Sequence, residues 1–503
     1  MLSVSNLTVK NAIFDNEIIK DLSFTVNEGD KIALIGGEGM GKSTLLKLIS
    51  GKVLDYVSYQ GEIIFSSKVY YLEQNISYLW NLNKVYDYLY KDSLFLNEMI
   101  YNAKLLFAEM NLDYNKLLER KIETLSGGEK VKISLIKAII NKPDILLLDE
   151  PSNDLDFETI MFLEGFLVNF DRGVVFISHD QRLIENVANG IIHLQHVHKQ
   201  MKAKSYFYRS GYLEYKDRYF RKINSDLQIA RKQRSDYQEK MKKFRQIYQK
   251  VEYQQNQAVR DPELARLLKK KIHSLKSQEK RFEKEKRNWV EIPEVEEPMN
   301  VFFDELKRVN LNKIILAVDI DNFRLKNNKV IKKISLEMKA NEKAVIYGKN
   351  GVGKTTFIQK VIDILKEKNI NYGYIPQNYL EVLDKDETVV RFLLYRQDKY
   401  LEFRLRQILG QLGFKREEMD KPIEYISEGQ KLKVLLLLIV SKDADILILD
   451  EPTRNISPIN QDEIYDLFLS FKGAILGITH DREFIEAVFD NIYELCEDGL
   501  IKK

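Results

Sequence analysis

Only one cysteine, Cys496, occurs in 503 residues. A single thiol leaves no internal disulfide framework and no cysteine-based zinc module, and it fits a reducing cytosol. Long apolar runs are also missing. Val434 to Val440 is among the longest, far short of the roughly 18 residues a membrane-spanning helix needs. A transporter that carries its own membrane domain is therefore excluded. The first residues, Met1-Leu2-Ser3-Val4-Ser5, lack a charged segment leading into an apolar one, so no signal peptide and a cytoplasmic location are expected. The chain is too long for a single core and implies two or three domains. Charge is unevenly spread. Between Lys199 and Val290 there are 27 Lys and Arg against 11 Asp and Glu, whereas the whole chain nets only +3. A basic middle between acidic flanks suits a polyanionic partner.

What is present is a phosphate-binding pattern, twice. Lys31-Ile32-Ala33-Leu34-Ile35 reads as a buried strand. Gly36-Gly37-Glu38-Gly39-Met40-Gly41-Lys42-Ser43 follows and leads into a helical run from Thr44 to Ile49. This is a P-loop in its strand–loop–helix setting: glycines let backbone N–H groups approach phosphates, and the helix N-terminus adds positive potential. Lys42 is expected to reach the β and γ phosphates, and Ser43 to hold Mg²⁺. The arrangement recurs as Ala344-Val345-Ile346-Tyr347, then Gly348-Lys349-Asn350-Gly351-Val352-Gly353-Lys354-Thr355-Thr356. Two apolar strands end in carboxylates, Ile145 to Asp149-Glu150-Pro151 and Ile446 to Asp450-Glu451-Pro452. Asp149 and Asp450 are candidates for Mg²⁺, directly or through water. Glu150 and Glu451 stand where a carboxylate can polarise an attacking water.

Spacing ties these motifs together. Lys42 to Lys354 is an offset of 312 and Gln74 to Gln377 one of 303. Ser126 to Ser427, Glu150 to Glu451 and His179 to His480 are each 301. The halves run in register from Ser126 onward, and the chain is a domain duplication.

Leu125-Ser126-Gly127-Gly128-Glu129 is similar to the signature motif of ATP-binding-cassette proteins. Gln74 and Gln377 look like their Q-loop glutamines, which also contact the metal, and His179 and His480 like their switch histidines. The resemblance covers both halves. It implies two α/β P-loop ATPase domains in tandem, forming an intramolecular dimer within a monomer. Two ATP molecules would be sandwiched between them, each held by the P-loop of one half and the signature of the other. The second signature departs from the pattern: Ile426-Ser427-Glu428-Gly429-Gln430 carries Glu428 where the first has Gly127. The Lys354 site faces the intact signature and the Lys42 site the altered one. A carboxylate near the γ-phosphate repels it unless it points away, so the two sites are expected to hydrolyse at different rates. Phe14 lies where an adenine-stacking aromatic is expected, and a core role is the alternative. No aromatic occupies the matching place near Lys326.

The middle segment carries heptad-like seams. Phe220, Ile223, Leu227, Ala230, Tyr237, Met241, Phe244, Tyr248 and Val251 form one, and Leu268, Ile272, Leu275, Phe282 and Trp289 the other. Asp261-Pro262 is a helix start signal. An antiparallel α-helical hairpin is expected, with Glu252 to Arg260 as a short polar turn. The expected division is residues 1–198 for the first ATPase domain, 199–300 for the linker and 301–503 for the second. A solvated spacer would more often mix charge signs. Here one sign dominates, and tyrosines from Tyr206 to Tyr253 are interleaved with Lys and Arg, which suits RNA.

Twin cassettes, no membrane domain and a basic hairpin resemble the ABC-F family of ribosome-associated ATPases. Arg454-Asn455-Ile456-Ser457-Pro458 in the second half is similar to the antibiotic-resistance branch of Lsa and Vga type. The resemblance implies docking on the ribosome with ATP bound, the linker reaching 23S rRNA and P-site tRNA at the peptidyl-transferase centre. Lincosamide, pleuromutilin or streptogramin A antibiotics would be displaced there. Tyr253, Gln254, Gln255, Asn256, Gln257 and Arg260 are the candidate tip. A translation factor without a resistance role and the ATPase subunit of a transporter remain as alternatives. A small cluster, His193, His196 and His198, has no further ligand nearby and is not expected to bind metal.

Overall fold

The structure, a computed structural model, describes the chain except residues 13–15, 38, 66, 74–83, 91–95, 111, 154, 198–201, 258–261, 287–288, 291–312, 326–329, 395–398, 442–443 and 455. Glu38, Gln74, Arg260, Phe14 and His198 thus lie outside the described residues, as does the side chain of His196. Two compact units result. One joins Met1–Leu213 with Glu297–Lys503, and the other is Glu214–Glu296.

The first unit holds both cassettes. In the first cassette β1 (Leu2–Asn11), β2 (Glu17–Val26) and β4 (Val57–Phe65) form an antiparallel sheet ordered β2-β1-β4. β3 (Lys31–Ile35), β5 (Val69–Leu72), β6 (Ile145–Asp149), β7 (Gly173–Ile177), β8 (Gly190–Val197) and β9 (Lys202–Tyr208) form a six-stranded sheet ordered β5-β6-β7-β3-β8-β9. The first five are parallel and β9 is antiparallel. Every residue of β3, β6 and β7 is buried, as a central parallel strand covered on both faces requires.

The second cassette repeats the plan. β10 (Ile314–Arg324) pairs with β11 (Val330–Lys339). β12 (Lys343–Tyr347), β13 (Tyr372–Ile375), β14 (Ile446–Asp450), β15 (Ala474–Ile478), β16 (Asn491–Cys496) and β17 (Gly499–Lys502) are ordered β13-β14-β15-β12-β16-β17. The P-loop strands β3 and β12 stand inside their sheets, between β7 and β8 and between β15 and β16. Loops at the carboxyl ends of such strands are where open α/β sheets bind ligands.

One boundary differs from expectation. Lys202–Tyr208, expected in the linker, pairs residue by residue with β8, from Ile191 opposite Tyr208 to Val197 opposite Lys202. Alternation explains it: Ala203 is buried, and Phe207 packs on the first-cassette core.

The second unit contains most of the helix Tyr212–Gln257 and all of the helix Pro262–Lys286. Phe244, Val251, Leu268 and Leu275 form its buried seam, flanked by Met241, Tyr248, Ile272 and Phe282. Tyr237 meets Trp289 edge-on at 5.1 Å. Early residues of one helix thus meet late residues of the other, so the pair is antiparallel. The expected turn at Glu252 to Arg260 is corrected: Tyr253 to Gln257 continue the first helix. Glu and Gln are good helix formers, and the Gln257 amide donates to the Tyr253 hydroxyl one turn back at 2.7 Å. Among the described residues no helix is long and apolar enough to cross a membrane.

Candidate active site

Each P-loop is shaped by what surrounds its glycines. Gly36 and Gly348, at φ 148° and 155°, lie so close to the next strand that a Cβ would sit 2.5 Å from the Leu194 carbonyl oxygen and 2.4 Å from that of Leu495. Only glycine fits. Gly41 and Gly353 then start the helices Lys42–Ile49 and Lys354–Glu367 in left-handed conformation. Lys42 Nζ folds back to donate to the Gly36 and Gly37 carbonyls, both at 2.9 Å. Lys354 Nζ does the same to Gly348 at 2.6 Å. Gly39, Met40, Lys349, Gly351, Val352, Thr44 and Thr356 complete the two loop-to-helix turns.

The carboxylates lie beside the helix hydroxyls. Ser43 Oγ donates to Asp149 at 3.0 Å, and Tyr71 OH donates to the other Asp149 oxygen at 2.7 Å. Thr355 bonds Asp450 likewise. Burial pushes both Asp carboxyls up, and these hydrogen bonds oppose it. Glu150 and Glu451 follow with φ of 50° each. That left-handed region is strained for a non-glycine residue and concentrates at functional sites.

The two glutamates sit in unlike fields. Glu150 is largely but not fully covered, which acts to raise its pKa, but His179, Lys42 and Asn153 outweigh this and hold it below the ordinary value. Glu451 is pushed up to about 7 by burial, against Lys354 and the His480 backbone N–H. His480 is pushed down to about 4 by burial and by Lys354. Its Nε2 lies 2.9 Å from Lys354 Nζ, so the neutral ring accepts there and carries its proton on Nδ1, which is buried and has no partner among the described residues. In the first cassette His179 Nδ1 lies 3.1 Å from the carbonyl oxygen of Ile456, in the other cassette.

Both cassettes build one cleft of about 410 Å³. Asn350, Gly351, Lys354, Thr355, Gln377, Asp450, Glu451 and His480 come from the second, and Gly127, Ser152, Asn153 and His179 from the first. The first signature therefore faces the second P-loop. Ser126 caps the helix Gly127–Ile140 through a reciprocal box with Glu129, which aims that helix's N-terminus at the cleft. Gly128 abuts Thr159, where a Cβ would sit 2.7 Å from the hydroxyl. Ser427 and Gln430 make the same reciprocal bonds at 3.1 and 3.2 Å, with Glu428 and Gly429 between them. Glu428 does not stand as a bare charge: its carboxylate pairs with Lys431 Nζ at 2.6 Å.

Reading the sequence missed the residues that clasp the cassettes together. Gln461 Nε2 donates to the His179 carbonyl at 2.9 Å. Arg182 grips Glu486 with two bonds of 2.6 and 2.7 Å. Arg482 meets Glu164 at 2.6 Å. The partners are 282 to 318 residues apart, and no local pattern announces them. One signal existed: the 301-residue register places polar Gln461 opposite apolar Ile160.

A family model described as ABC transporter matches residues 19–153 and 331–454, more than half of the chain. The chain belongs to this family of ATP-binding-cassette proteins and is an ATP hydrolase. Its relatives run nearly end to end. The ATP-binding protein Uup of Buchnera aphidicola subsp. Acyrthosiphon pisum is 28% identical, covering 99% of this chain and 82% of its own. ABC transporter F family member 2 of Arabidopsis thaliana is 25% identical over 96% and 75%. Ribosome protection protein VmlR of Bacillus subtilis is 26% identical over 100% and 88%. These relatives support an ABC-F ATPase. Among solved structures, an archaeal ribosome recycling factor, in complex with the stalk protein aP1, has a TM-score of 0.59 at 17% identity. That match covers 99% of this chain and 89% of the other, and it shows the fold.

Proposed function

We propose that the chain binds the ribosome in its ATP-bound state and uses the basic hairpin to act on RNA there, with ATP hydrolysis releasing it. The observation that carries this reading is the strong excess of positive charge in the segment joining two ATPase cassettes that share a cleft. Phosphate backbones attract such a surface strongly and in a salt-dependent way. In this reading 23S rRNA and P-site tRNA are the contacts, and Tyr253 to Gln257, at the end of the first hairpin helix, belong to the working end. Similarity to a protein named for ribosome protection supports a protective role on the ribosome, which in this reading takes the form of displacing lincosamides, pleuromutilins or streptogramin A.

The residues divide the chemistry. Lys42 and Lys354, with the surrounding loop N–H groups, bind the phosphates. Glu150 and Glu451 orient and polarise water, while His179 and His480 hold the γ-phosphate end of the cleft. Ser43 with Asp149, and Thr355 with Asp450, bring a hydroxyl and a carboxylate together, an oxygen set that fits Mg²⁺. Gln74 and Gln377 would join them. When bound, that ion supplies neutralisation of phosphate charge.

The test is ribosome co-sedimentation by the Glu150→Gln, Glu451→Gln double variant. ATP should promote binding, and binding should weaken steeply as salt rises. Binding unaffected by ATP would sink the proposal, and would favour a transporter-type subunit if membranes captured the protein instead. Drug tolerance with and without the protein separates a resistance role from a translation-factor role.

A further inference from the structure

By the symmetry of the duplication, the altered signature is the one that serves the first ATP site. Gly127 and Lys354 line the same cleft, and the 301-residue register puts Glu428 at the matching position toward Lys42. Ile456 and Gln461, from the same cassette as Glu428, already contact His179 of the first site. An uncompensated carboxylate at that position would oppose a triphosphate. Lys431, one helical turn on, holds Glu428 at 2.6 Å, with only 8% of the Lys431 side chain and 17% of the Glu428 side chain exposed. The charge of Glu428 is also felt on its own cassette: Tyr379, pushed up first by burial, is pushed further by Glu428. The carboxylate is thus held along its own helix by Lys431.

We propose that Lys431 is a positioning residue for the first ATP site: it holds Glu428 off the γ-phosphate and neutralises it, so that an acidic signature still accepts ATP. The first signature has a lysine at the matching place, Lys130, beside Gly127, so the departure is Glu428 alone and the lysine is given a carboxylate to hold. This rests on the two-site reading of the cassettes. It predicts that Lys431 matters only because Glu428 is there.

The experiment uses the full chain in four forms: unchanged, Lys431→Met, Glu428→Gly, and both together. First-site turnover is followed in a Glu451→Gln background, and second-site turnover in a Glu150→Gln background. Lys431→Met should raise the half-saturating ATP concentration of the first site about tenfold, more at low salt, with a smaller change in maximal rate. Glu428→Gly alone should leave it within about twofold, and the double variant should return to near the unchanged value. Second-site turnover should stay the same throughout, which reports that the protein folds. Lys431→Met without effect on first-site ATP dependence overturns the proposal, as does a loss that Glu428→Gly fails to rescue. Absence of first-site turnover in the unchanged signature overturns the two-site reading itself.

Discussion

The two ATP sites descend from one plan yet are wired differently. In the first, His179 is pinned by Ile456 and Gln461 of the opposite cassette, and Glu150 lies below its ordinary pKa. In the second, His480 leans on Lys354, its Nδ1 lacks a partner among the described residues, and Glu451 is pushed up to about 7. The first is clasped at its histidine, and the second, with the intact signature, is bridged to the other cassette at its P-loop instead, Lys349 meeting Glu158 at 3.2 Å. Duplication supplies two copies of the chemistry. The opposing cassette then decides how each copy behaves.

The largest expected contrast is in hydrolysis. Glu451→Gln should lower second-site turnover by about a hundredfold or more, the usual scale for losing a general base. Glu150→Gln should cost clearly less, and equal single-turnover rates in the two variants would dissolve the comparison. Next is pH. Glu451 acts on water only when ionised, so nucleotide-limited turnover at the second site should rise about tenfold from pH 6 to pH 8. Glu150 is ionised across that window, and the first site should stay flat. Parallel profiles in the two single Glu→Gln backgrounds would contradict these unlike fields. Third, Gln461→Ala removes a bond to the His179 carbonyl worth about 1 kcal/mol, and should slow the first site about fivefold while sparing the second. Smallest is Tyr71→Phe. It frees one oxygen of Asp149 and should raise the Mg²⁺ concentration for half-maximal first-site turnover about twofold. The counterpart Tyr374 bonds Gln359 instead, and Tyr374→Phe should change nothing there.

Much of this was legible in the sequence because its signals are local. A P-loop, a strand ending in two acids and a heptad seam each declare themselves within a few residues, and Phe244, Val251, Leu268 and Leu275 pack where that seam put them. What stayed hidden depends on distant partners or competing signals. Lys202–Tyr208 looks like the basic, aromatic linker, and only pairing with β8 makes it a strand of the first cassette. Tyr253 to Gln257 are polar enough for a turn, yet helix propensity and a bond within the turn carry the helix through them. The clasp of Arg182, Arg482 and Gln461 links residues far apart in the chain, and charge pairs of that kind leave no period to read. Glu428 and Lys431 form the intermediate case, since a three-residue spacing on a helix is visible to anyone who looks for it.

The left-handed backbone at Glu150 and Glu451 has a consequence for what could replace them. Aspartate tolerates that conformation better than glutamate does, so a shorter acid would relax the chain. It would also withdraw the carboxylate by one methylene from the His480 N–H it now reaches at 3.3 Å. The position therefore selects for length over comfort, and a Glu→Asp exchange should yield a cassette that folds with greater ease and hydrolyses with less.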